Sequence, residues 1–231
     1  MARNASAEPF QESESLLVLQ VLGLLPAYLA TRSGAWNFRR EVVVGRSIAD
    51  VVGLKLPGKE WLKPPDVLTI AESVVISLLR RHGPTRIDIL ERLCGVRPCG
   101  LRNGVLRRLQ KWGIIERQVG GRISLSISWP GPVEIIAIEA KLTKWKEALE
   151  QATSYLRFAD ESYVVLPQTR ARKAIEARKY FECAGVGLWV ITESGIMEEV
   201  NATRSGNNDW QREFVYSRIA NSLSKQCADA A

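Results

Sequence analysis

Glu139 and Lys141 close the run Val133-Glu-Ile-Ile-Ala-Ile-Glu-Ala-Lys141. Side chains alternate along an extended strand, so these two opposite charges leave the same face of an otherwise apolar segment. By itself a Glu-x-Lys tripeptide reads as a salt-bridged strand end. A third charge changes the context: Asp50 lies inside the β-branched run Ile48-Ala-Asp-Val-Val52. A carboxylate among such residues is costly to bury and needs a partner or an ion. Gln151 and Tyr155 stand one helical turn apart shortly after Lys141, and add a polar edge to the helix expected there.

The elements that must position these residues follow from periodicity. Leu16, Leu17, Leu19, Val21, Leu22 and Leu25 cover most of a helical surface, which predicts a largely buried first helix from about Glu12 to Ala30. Phe38 to Leu54 reads as a hairpin, two β-branched runs joined at Gly45-Arg46-Ser47. After Glu139 and Lys141, an amphipathic helix is expected from Thr143 to Phe158 with Thr143 as its cap. Further expectations are a short strand Tyr163–Leu166, a helix Arg170–Phe181, a buried strand Val186–Ile191 and a closing helix from about Trp210 to Lys225. Strands alternating with helices imply an α/β sheet flanked by helices.

Two Pro/Gly-rich breaks, Pro57-Gly through Lys63-Pro-Pro-Asp66 and Trp129-Pro-Gly-Pro132, bracket residues 69–128. This segment reads as three helices and a terminal hairpin turning at Gly120-Gly121. The chain carries a net charge of +7. Within 69–128 there are 11 basic and 4 acidic residues, so the segment holds all of that excess and the remainder is neutral. Phosphates attract such a patch, which makes DNA the expected partner.

Four cysteines without close pairs and a single His82 exclude a zinc site and suit a reduced, cytoplasmic compartment. Leu16 to Ala30 falls short of a membrane span, so no membrane association is expected. Asn201-Ala-Thr203 matches a glycosylation acceptor only by chance.

The run Val105-Leu-Arg-Arg-Leu-Gln-Lys-Trp-Gly-Ile-Ile-Glu-Arg117 resembles the recognition helix of a winged helix-turn-helix passing into its wing. That resemblance implies DNA contacts from Arg97, Arg102, Asn103, Arg107, Arg108 and Lys111 around the third helix and from Arg122 in the wing, with a protein-docking role for the module as the competing reading. The order of the remaining features, a helix with Glu14, a strand with Asp50, then Glu139-Ala-Lys141 and Gln151-x-x-x-Tyr155, resembles the PD-(D/E)xK nuclease superfamily, with Ala49 at the position of the naming proline. The likeness implies a restriction endonuclease-like core in two parts, 9–56 and 133–226, interrupted by the module at 69–128. It implies Mg²⁺, with Mn²⁺ as a substitute, held by Asp50, Glu139 and the Ala140 carbonyl. Lys141 would orient the attacking water, Glu14 or Glu12 would add a helix carboxylate, and Gln151 would face the site. The implied activity is metal-dependent hydrolysis of DNA phosphodiesters, with a homodimer for a double-strand cut. A non-catalytic DNA-binding regulator on the same fold and an RNA-processing nuclease are the alternatives.

Overall fold

The computed structural model describes residues 13–32, 34–55, 65–129, 131, 134–206 and 210–229, with side chains to 221. Its principal sheet is six-stranded and mixed. The strands are β1 (Trp36–Val44), β2 (Ser47–Lys55), β6 (Glu134–Ala140), β7 (Glu161–Pro167), β8 (Gly187–Thr192) and β9 (Gly195–Val200), in the order β1-β2-β6-β7-β8-β9. The β6–β7 and β7–β8 pairs are parallel and the others antiparallel. All seven residues of β6 are buried, as a central strand covered on both faces requires.

Helix α1 (Glu14–Tyr28), capped by the Ser13 hydroxyl, covers one face. Its Leu17, Val18, Val21 and Leu25 pack on Val51, Ile136, Ile138, Val165 and Trp189. The helix is less buried than expected: Leu17, Val18, Val21 and Leu25 are buried, while Leu16 and Leu19 are about half exposed. Nor is the apolar stretch too short for a membrane: Glu14–Thr31, with mean hydropathy 1.5, is long and apolar enough to cross one, although the fold lays it on the sheet.

The opposite face carries α6 (Trp145–Tyr155), α8 (Arg178–Ala184) and the long α9 (Trp210–Asp229). Three expectations change here. Helix α6 begins after Lys144 with no side-chain cap, and Thr143 supplies only its carbonyl, to the Trp145 N–H at 2.9 Å. The stretch expected to be helical from Arg170 breaks at Ala177 between α7 (Arg172–Glu176) and α8. Strand β9 was not expected, since Met197 to Glu199 lack a buried pattern.

Strands β2 and β6 pair antiparallel from Val51–Ile138 to Lys55–Glu134, and the intervening 78 residues leave and return at that last pair. Among them stand α2 (Ile70–His82), β3 (Thr85–Arg86), α3 (Ile87–Cys94), α4 (Pro98–Gly100), α5 (Arg107–Lys111), β4 (Ile115–Arg117) and β5 (Arg122–Leu125). A π-helical stretch, Leu101–Leu106, joins α4 to α5. The three strands form their own sheet, β3-β5-β4, and β3 is an addition to the hairpin expected from sequence. A reciprocal capping box between Thr69 and Glu72 starts α2. The insert is no loose arm. Its Val75, Ile76 and Leu79 share one buried cluster with Val215, Tyr216 and Ile219 of α9, and Arg80 pairs with the buried Glu213 at 2.7 Å.

Candidate active site

One step beyond the Val51–Ile138 pair, the register brings Asp50 of β2 opposite Glu139 of β6. Directly opposed residues of an antiparallel pair share a face and lie within side-chain reach. Glu139 turns towards α6, with Ile135 and Ala137 of the same parity in the cluster that α6 covers; at Asp50 the alternation of β2 shifts, Ala49 packing in that cluster and Val51 in the α1 cluster. Asp50 Oδ2 accepts from the Ala140 N–H at 2.8 Å, and Ala140 itself is fully buried.

Glu139 is 1% exposed. Its Oε1 lies 3.0 Å from Lys141 Nζ, as the two-residue period anticipates, and its Oε2 lies 2.6 Å from the Tyr155 hydroxyl. Lys141 Nζ also reaches Glu14 Oε2 at 3.3 Å, so the helix α1 glutamate arrives at the strand end. Glu12 lies outside the described residues. Gln151 is exposed, and among the described residues no hydrogen bond ties its side chain to the carboxylates; the residue α6 delivers is Tyr155, one turn later.

The electrostatics follow from crowding. Burial pushes the Glu139 carboxyl above its ordinary range and the charge of Asp50 adds to this, while the Tyr155 and Lys141 hydrogen bonds pull the other way. Asp50 is raised as well, by burial foremost, with the charges of Glu14 and Glu41 in the same direction. For Lys141 burial works against the ammonium, but its bond to Glu139 and the surrounding carboxylates hold it above the usual lysine value. The Tyr155 hydroxyl has one proton and two acceptors, Glu139 Oε2 at 2.6 Å and the Ile48 carbonyl at 2.7 Å. Both contacts become hydrogen bonds when Glu139 carries a proton and donates to the phenol oxygen.

Two contributors escaped the sequence reading. One is Tyr155 as the partner of Glu139. The other is Glu41, which holds φ at +52° in β1 between the Arg40–Val51 and Val42–Ala49 pairs, across from Asp50. A non-glycine residue in the left-handed region is uncommon, and such strain collects at functional sites. Nothing in the alternating pattern of β1 announces it.

Among the described residues no group of three or more His, Cys, Asp or Glu side chains assembles a closed cage. Asp50, Glu139 and the Ala140 carbonyl are the oxygen atoms at this strand end that could hold a hard cation, which would complete its shell with water and phosphate oxygens.

Removing the phenol tests the arrangement. Tyr155→Phe keeps the ring on Phe158, with centroids 5.9 Å apart, but strips Glu139 of a fixed neighbour. Losses of about 10–100-fold in metal affinity or activity are typical for such supporting groups. On a site that works with Mg²⁺ the variant is expected to need more of the ion for half-maximal rate, and the loss of the bonds to Glu139 and the Ile48 carbonyl should lower Tm by about 2–4 °C; a metal titration of the rate and a melting curve measure the two.

The basic residues of the insert divide into two sets. Arg97, Asn103, Arg107, Lys111 and Arg122 are exposed. Arg108 is turned inward: it pairs with Glu72, which is 2% exposed, and stacks over Trp112 at 4.5 Å. Arg102 is exposed but bonded to Glu91. Each is thus ion-paired with an acidic neighbour, Glu72 on α2 and Glu91 on α3, whereas among the described residues no such pair engages the exposed set.

No protein-family model, curated protein or solved structure matches the chain.

Proposed function

We propose that the chain is a Mg²⁺-dependent nuclease with a restriction endonuclease-like core, guided to DNA by a winged helix-turn-helix insert. The observation that carries this reading is the meeting of Asp50, Glu139 and Lys141 at one strand end, although 88 residues separate the two carboxylates in sequence. The α/β sheet flanked by helices and the three helices with a small antiparallel sheet in the insert support the two halves of the proposal.

In this reading Asp50, Glu139 and the Ala140 carbonyl hold the ion, which when bound polarises the phosphodiester and acidifies a water. Lys141 supplies a fixed positive charge with three donors where negative charge builds on the phosphate oxygens, and Glu139 and Glu14 hold it in place. Arg107 and Lys111, exposed on the third helical stretch, engage DNA with Arg97, Asn103 and Arg122. Labelled duplex and single-stranded DNA incubated with the full chain should be cut with Mg²⁺ or Mn²⁺ and left intact with EDTA. RNA cut in preference to DNA would move the substrate class.

The Arg107→Ala/Lys111→Ala double variant is expected to bind DNA more weakly. Its slope of log affinity against log salt should flatten by about 1.8, two phosphate contacts at about 0.9 each. Titrations at several salt concentrations measure this.

One observation favours a non-catalytic DNA-binding protein instead: both oxygens of Glu139 already have protein partners. Metal-independent DNA binding without cleavage of any strand would select that reading.

A further inference from the structure

Beside the carboxylate cluster, a cavity of about 230 Å³ opens between the β1–β2 turn, the C-terminal end of α6 and the first turn of α9. Its lining is chemically mixed. Arg46 and Arg157 are exposed at its edges, and neither is engaged by an ion pair or hydrogen bond among the described residues. Ser47 and Ser154 contribute hydroxyls 3.3 Å apart. The apolar part comes from Phe158, which is buried, and Trp210, which is half-buried and packs edge-on against Phe214 at 6.3 Å.

Two guanidiniums suit a phosphate. An indole beside them suits the flat face of a base, which stacks on aromatics whatever its sequence. We propose that this cavity receives one unpaired nucleotide of the bound strand, its base against Trp210 and its phosphate between Arg46 and Arg157. The proposal rests on the nuclease reading and adds a substrate class to it: nucleic acid with an unpaired nucleotide next to the phosphate that is cut.

The placement supports this. Ser47 and Asp50 are three residues apart on β2, roughly 10 Å at about 3.3 Å per residue. Ser154 immediately precedes Tyr155, whose hydroxyl contacts Glu139 and the Ile48 carbonyl. A strand with one phosphate at the carboxylates therefore carries a neighbouring nucleotide to the cavity.

The test is fluorescence anisotropy of end-labelled (dT)8 on the full chain in EDTA, with inorganic phosphate and dTMP as competitors. The wild type should bind (dT)8. The Arg46→Ala/Arg157→Ala variant should bind about ten-fold more weakly, with a salt slope flatter by about 0.7, the loss of one single-strand phosphate contact. Trp210→Ala should lose at least about five-fold with its slope unchanged, the signature of lost stacking. In competition dTMP should outcompete inorganic phosphate. Unchanged (dT)8 affinity in both variants, or no binding by the wild type, overturns the cavity proposal. The two readings fail separately. Variants that weaken (dT)8 binding in a chain that never cuts DNA leave the cavity standing and remove the nuclease, whereas metal-dependent cutting with unchanged (dT)8 affinity removes the cavity alone.

Discussion

Asp50→Asn is expected to abolish cleavage and, in the same protein, to raise Tm in EDTA. The two effects have one cause. Asp50 and Glu139 face each other across adjacent strands, and each carboxyl is pushed up by burial and by neighbouring negative charge. The amide keeps an oxygen to accept from the Ala140 N–H, so the 2.8 Å bond survives while the repulsion disappears. A gain of about 1 kcal/mol, within the range recovered when functional strain is relieved, would move Tm by roughly 2–4 °C in a chain of this size. Losing an anionic ligand removes several kcal/mol of transition-state stabilisation, and about 4 kcal/mol is about a thousandfold in rate.

The pH dependence of the stability gain carries a sign. A carboxyl whose folded-state pKa is raised stabilises the fold below its ordinary pKa and loses that contribution as pH rises through the raised value. The advantage of Asn over Asp should therefore be absent in strong acid, where Asp50 is neutral too, and should grow as pH climbs above the usual carboxylate range. Melting curves across pH would show it. A purely structural salt bridge gives the reverse: the variant would be less stable than wild type at neutral pH.

Asp160→Ala is expected to cause the largest loss of stability. Asp160 Oδ2 accepts from the Ile135 N–H at 2.7 Å and from Arg212 Nη1 at 2.7 Å, and both charged side chains are about nine-tenths buried. The Asp160 main chain adds bonds to the Ile135 carbonyl at 2.8 Å and from the Ser205 N–H at 2.7 Å, which fix the entry to β7 beside the start of β6. Alanine leaves the β6 N–H without its acceptor and removes the carboxylate from a buried guanidinium. Breaking such a pair costs roughly 3–5 kcal/mol, a fall of roughly 10 °C in Tm for a chain of this length. Asp160→Asn keeps an acceptor for Ile135 and should recover part of the loss. Neither change touches Asp50, Glu139 or Lys141, so the rate per folded molecule should hold. Calorimetry alongside active-fraction titration separates the two quantities.

What could be read from the residues divides along a physical line. Glu139 and Lys141 were legible because strand alternation is local, and so was the β1–β2 hairpin around Gly45. Asp50 was legible as a carboxylate in need of a partner. That its neighbour would be Glu139 depended on strand pairing across the insert, which no local pattern encodes; the order of motifs suggested it and the register supplies it. Gln151 and Tyr155 share one face of α6, and only the crossing of α6 over β2 and β6 decides that the tyrosine arrives. Arg108 looked like its neighbour Arg107 because charge counting is blind to Glu72, 36 residues earlier and buried beside it. Glu41 was invisible, since a single left-handed residue at φ +52° within a paired strand leaves no periodic trace.

The most direct test of the central claim, that the Asp50–Glu139 pair is a cation site, is calorimetric titration of Mn²⁺ into the full chain with an uncleavable phosphorothioate oligonucleotide present, since such ions borrow phosphate oxygens. The wild type is expected to bind Mn²⁺ saturably, and Asp50→Asn to lose that binding while remaining folded. Equal binding by the two proteins, or none by the wild type, would contradict it.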